Sequence, residues 1–149
     1  MSAVTGPACP PHFRATFLDE PRHVELAPGE RLYKFVSIPI DHQRVLASPW
    51  WIRQDAFDEL RFRARRLQKP ISDLARSRTA IALEWNPGME TVYVVALNAN
   101  VDAWEGRARS QPLSVRGGNV AFTGGGLQLC VPKLTWQHIG LRYSGVPMR

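Results

Sequence analysis

Gln128 stands two residues past a run of three glycines, in the stretch Thr123-Gly-Gly-Gly-Leu-Gln-Leu-Cys-Val-Pro132. Glycine loses more backbone freedom on folding than any other residue, so a triplet implies unusual backbone angles, close approach of another group, or mobility. A glutamine at the mouth of the following strand is the residue such a loop would present. Its amide can hydrogen-bond a hydroxyl or orient water, but it cannot supply negative charge or act as a general base. Gly117-Gly118 and the triplet bracket Asn119 to Thr123. That segment reads either as a hairpin connection or as a binding loop on a rigid strand, with Phe122 exposed at its tip.

Ser48-Pro49-Trp50-Trp51 is a second candidate. Adjacent tryptophans on a strand point to opposite faces, so one can anchor a core while the other offers an indole surface to a nicotinamide or adenine ring. Arg61, Arg63, Arg65, Arg66, Arg76 and Arg78 lie in one short span. They form either a solvated helix face or a patch that neutralises phosphates, and no recognised nucleic-acid motif accompanies them. The chain has no P-loop, no GxGxxG, no GxSxG elbow and no HExxH. His12, His23, His42 and His138 are scattered, and Cys9 and Cys130 have no metal-ligand spacing, so neither a zinc site nor a structural disulfide is expected.

Positioning these residues takes a core, and 149 residues at 44% hydrophobic content supply one. The net charge of +6, carried by 16 arginines and 3 lysines against 13 acidic residues, favours an anionic partner. The opening residues lack the basic start and apolar stretch of a signal peptide, and no apolar run is long enough to span a bilayer. The expectation is a protein of a reducing cytoplasm, or one exported without a cleavable signal.

Residues 1–28, rich in proline, predict an extended or partly disordered arm, and residues 29–149 a single domain. Arg31 to Ile38 alternates as a strand, and Asp41 to Gln43 reads as a loop. Asp55 to Gln68 predicts a helix with Phe57, Leu60, Ala64 and Leu67 on one stripe, and Pro70 can open a second, shorter helix. Strands follow at Ala80 to Trp85, Thr91 to Asn98, Val101 to Glu105 with Gly106 as its end, Leu127 to Val131, and His138 to Tyr143. Helices near the front and strands behind predict an α+β fold with a mainly antiparallel core, built as two small packed sheets.

Several of these segments together resemble the ADP-ribosyltransferase-like superfamily, particularly its bacterial toxin and NAD-glycohydrolase branches. Pro28-Gly-Glu-Arg-Leu-Tyr-Lys-Phe resembles the opening strand of those domains. Leu83-Glu-Trp-Asn, Val92 to Leu97, Ala103 to Gln111 and Gly124 to Gln128 are similar to their later part. The resemblance spans residues 28–143. It implies that Arg31 and Lys34 hold the phosphates or ribose of NAD, with Tyr33 and Ser48 in the same dinucleotide site, and Trp50 or Trp51 stacking on it. It also implies that Gln128 contacts the reacting ribose, and that Gln111 and Phe122 lie on the acceptor side. Two positions depart from the family: Lys34 offers a point charge where a forked arginine is usual, and Gln128 replaces a glutamate.

What the resemblance implies is cleavage of the nicotinamide glycosidic bond with NAD as substrate and no metal. Water would be the acceptor in a glycohydrolase, and a protein or nucleic acid in a transferase. A neutralising immunity protein is an expected partner. The charge pattern leaves a second reading from another class, a small basic module that binds nucleic acid or an acidic protein without catalysis.

Overall fold

The computed structural model describes residues 9–36, 40–68, 91–109, 126–132 and 134–144. Strand β4 (Thr91–Leu97) shows why the sheet forms where it does. Its branched and aromatic residues are buried on both faces, so it belongs in the interior of a sheet. It pairs with β2 (Arg31–Val36) on one side and β7 (Ile139–Ser144) on the other. With β1 (Arg22–Leu26), β3 (Trp50–Arg53), β5 (Val101–Arg107) and β6 (Leu127–Cys130), they form a seven-stranded sheet in the order β1-β5-β6-β3-β2-β4-β7. Every neighbouring pair is antiparallel. The fold is α+β, with its described α-helices in the first half of the chain and one 3-10 turn at Trp136–His138.

Where two packed sheets are expected, the seven strands share one hydrogen-bonded order. The join is β3, which changes partner at its midpoint. Trp50 and Trp51 pair with Cys130 and Leu129 of β6, whereas Ile52 and Arg53 pair with Tyr33 and Leu32 of β2.

Three apolar clusters follow from the pleat. One face carries Leu32, Trp51, Tyr93, Val95, Ala103 and Leu129, closed over by Val45 of helix α2 (His42–Ala47). The opposite face beside β2 and β4 packs Tyr33, Phe35, Ile52, Val92 and Val94 against helix α3 (Gln54–Leu67). Beside β5 and β6 that face is covered by the N-terminal segment, with Cys9 and Phe17 against Trp104 and Cys130.

The helix expected at residues 55–68 is α3, which buries Phe57, Leu60 and Ala64 and ends on Gln68 in the left-handed region. Leu67, on the same stripe but in the last turn, is exposed. Phe57 stacks on Tyr33 at 4.4 Å between ring centroids, and burying a ring of that size stabilises by about 1.5–3 kcal/mol. The segment expected to be a loop at 41–43 instead opens α2, because the Asp41 carboxylate caps the helix by accepting from the backbone N–H groups of Gln43 and Arg44.

Two further expectations change. Over residues 9–28 there is no free arm. Helix α1 (Pro11–Arg14) starts on proline, Phe17 bridges to Ala108, and β1 pairs along the whole of its length with β5. Cys9, Phe17 and Leu26 supply apolar anchors too sparse to show as periodicity. Gly106 does not end β5, which runs on to Arg107. A Cβ at Gly106 would lie 2.8 Å from Phe17 Cδ1, so glycine is there to admit the buried ring. The expected helix after Pro70, the strand at 80–85 and the glycine-rich segment before Gly126 lie outside the described residues.

Candidate functional site

The point where β3 leaves β6 is built from both strands. Trp51 is the last β3 residue paired to β6, and Gln128 follows Leu129 on the β6 side of the opening. Gln128 keeps Gly106 of β5 as its other neighbour. It is buried as a residue, at 8% exposure. Trp51 is buried as well, and its indole Nε1–H has no partner among the described residues. Buried polar groups are nearly always paired, so the unpartnered indole N–H stands out on its face of the sheet, while the Gln128 side chain lies on the opposite face.

Charged side chains cross the same opening. Arg53, on the half of β3 that has moved to β2, donates to Glu30 at 2.7 Å and lies 3.6 Å from Glu105 of β5. Glu105 also accepts from Arg22 at 3.3 Å. Burial alone would lower the pKa of Arg53, but the Glu30 hydrogen bond and the Glu30, Glu105 and Asp55 carboxylates outweigh it and raise the value. Sequence reasoning missed Arg53, Glu30 and Glu105, which are far apart along the chain. The one local signal was an arginine closing the strand-like Trp-Trp-Ile-Arg run.

The residues expected from the sequence divide into three places. Lys34, Ser48 and Trp51 come together. The Lys34 ammonium donates to the carbonyls of Val45 and Ser48, the latter at 2.6 Å, and lies 4.2 Å from the Trp51 ring centroid. Burial pushes the Lys34 pKa down to about 7. The lysine thereby closes the C-terminal end of α2, with the ring of Trp51 beneath it. Tyr93 lies opposite Lys34 across the strands, and its hydroxyl is 2.8 Å from His42 Nδ1.

Arg31 and Tyr33 lie on the other face of β2, where Tyr33 is committed to the ring of Phe57 and Arg31 is exposed. Trp50 and Gln128 share that opposite face through Cys130, one in register with it and the other two residues before it on β6. Trp50 sets its ring edge-on against Phe13 and Phe17. The fold therefore brings Trp51 and Gln128 to one opening by their backbones, but it leaves Lys34 and Gln128 on opposite faces. Gln111 and Phe122 lie outside the described residues. Among the described residues no cluster of His, Cys, Asp and Glu is placed to hold a metal, and no helix is long and apolar enough to cross a membrane.

No family model matches the chain, and no curated protein matches it. In fold it is similar to a chain in the structure of Tne2 in complex with Tni2. The TM-score is 0.52 at 13% identity, covering 84% of this chain and 92% of that one. It is also similar to a chain in the structure of Rhs1-CT in complex with its cognate immunity protein RhsI1. Here the TM-score is 0.45 at 16% identity, covering 85% of this chain and 83% of that one. The first likeness establishes a shared fold.

Proposed function

We propose that this chain is a toxin-type enzyme of ADP-ribosyltransferase-like fold that binds NAD and cleaves its nicotinamide glycosidic bond, with hydrolysis as the principal reaction. The observation that carries the reading is Gln128: a buried polar residue on β6, beside the point where β3 leaves β6 for β2. The sequence resemblance and the fold shared with a chain of the Tne2 complex support it.

Breaking the bond between ribose C1′ and the nicotinamide nitrogen leaves an oxocarbenium-like centre that water attacks. An amide can hold a ribose hydroxyl and orient that water, and a preorganised donor or acceptor in a dry site is worth more than one in solvent. It cannot deprotonate an acceptor side chain, which favours water over protein as the acceptor. Tne2 is found in complex with Tni2, and a neutralising protein partner belongs to this reading.

Incubating the purified chain with NAD and measuring nicotinamide and ADP-ribose tests the proposal. Release by the wild type and its loss in Gln128→Ala are expected. If the wild type releases none, or the variant releases as much, the assignment fails.

A second reading rests on the outer side of α3, where Phe62 is exposed and the Arg66 guanidinium lies 5.7 Å from its ring centroid, near exposed Arg63 and Arg65. A module that bound nucleic acid there would lose affinity steeply as salt rises and would leave NAD intact.

A further inference from the structure

Cys9 and Cys130 come from opposite ends of the chain, yet they lie in one small cluster with Phe17 and Trp104. Cys9 lies two residues before the start of α1, and Cys130 is the last residue of β6. Both are buried, at 1% and 0% exposure, and both are free thiols in this structure. They are near enough to interact electrostatically: burial pushes the Cys130 pKa up to about 12, and Cys9 adds to the push. The Cys9 pKa is also raised by burial, but Arg14 offsets part of the rise and anchors the segment by donating to the Cys9 carbonyl at 3.3 Å. Around the pair the cluster is apolar, with aromatic rings from Phe13 and Trp50 packed against it.

We infer that Cys9 and Cys130 are a redox-modifiable pair that forms an intramolecular disulfide with a small-molecule disulfide such as oxidised glutathione. The bond would fasten the N-terminal segment to the strand carrying Gln128. The Cys9 thiolate attacks the small disulfide, forming a mixed disulfide and releasing one small thiol. The Cys130 thiolate then attacks Cys9 Sγ and releases the second. Two protons leave the protein, two electrons reduce the oxidant, and one sulfur–sulfur bond replaces another. Raised thiol pKa values keep the thiolates scarce in the folded state, so the exchange accompanies folding in an oxidising compartment or transient release of residues 9–17. The closed loop spans most of the chain, which is where constraint of the unfolded state is largest.

The test refolds the full chain in mixed oxidised and reduced glutathione, then reads intact mass, alkylation in denaturant and the tryptic map without reductant. Expected are the loss of two hydrogens, no alkylation, a peptide linking Cys9 to Cys130, and a Tm higher by roughly 5–10 °C that dithiothreitol reverses. Cys9→Ser should show neither the linked peptide nor the rise. Two alkylatable thiols in the oxidised monomer, or linkage only between chains, would overturn the inference. Because the readouts are mass and stability, the outcome is independent of whether NAD is cleaved.

Discussion

Lys34 sits over Trp51 with its ammonium 4.2 Å from the ring centroid, while its protons go to the carbonyls of Val45 and Ser48. A basic residue that the resemblance assigns to phosphate binding thus holds the end of α2 against the sheet. Burial has lowered its pKa from 10.5 to about 7, which links the charge to folding.

The unfolded chain therefore binds a proton at Lys34 between about pH 7 and 10.5 that the folded chain does not. Stability from this residue is full above the unfolded value, is lost progressively as pH falls through that window, and is level below the folded value. Urea denaturation of wild type and Lys34→Met at about pH 7 and about pH 9 should show a gain on raising pH in the wild type that the variant lacks. Equal pH slopes for the two proteins would disprove the linkage.

Gly106→Ala should be destabilising by about 1–3 kcal/mol, as expected for overpacking. The new methyl would lie 2.8 Å from Phe17 Cδ1, and Phe17 is fully buried with little room to yield. Adding Phe17→Leu should return part of the loss, and an additive double variant would refute a direct clash.

Arg53→Met removes the hydrogen bond to Glu30 and strips Glu105 of one of its two arginine neighbours. A cost of about 1–2 kcal/mol is expected, discounted because the pair is partly solvated. Arg53→Lys should recover less than the full amount, since one ammonium cannot match a fork spanning two carboxylates. Denaturation midpoints that do not move would show that the pairing contributes nothing.

At Gln128 stability and activity should part. Replacing this buried polar residue with methionine is expected to be neutral or stabilising by up to about 1 kcal/mol, while nicotinamide release falls at least about tenfold. A strongly destabilised Gln128→Met would mean that the amide has a structural partner.

The strands at 31–36, 91–97 and 101–107 and the helix at 54–67 were legible because each carries its own periodicity, set by the face it buries. Helix α2 was not: it is short, and its capping Asp41 lies in a polar run that reads equally as a turn. The N-terminal segment was hidden for another reason, since its contribution rests on isolated anchors such as Phe17 fitting beside Gly106. Within the site, the placement of Gln128 at the mouth of β6 and the opposite facing of the two tryptophans could be read from spacing. The Arg53, Glu30 and Glu105 contacts could not, because they depend on which strands become neighbours.

The handover in β3 also sets how the molecule can flex. Four residues carry all the ladder pairing between β6 and β2, two pairs to each side. A sheet spliced so narrowly has few ladder bonds to resist bending at that splice, where a small change in the φ and ψ angles flanking the Trp51–Ile52 peptide would move Gln128 relative to Arg53. The width of the opening is thus governed by one strand of tryptophan, isoleucine and arginine, and the amide protons of Trp50 to Arg53 are the natural gauge of that movement.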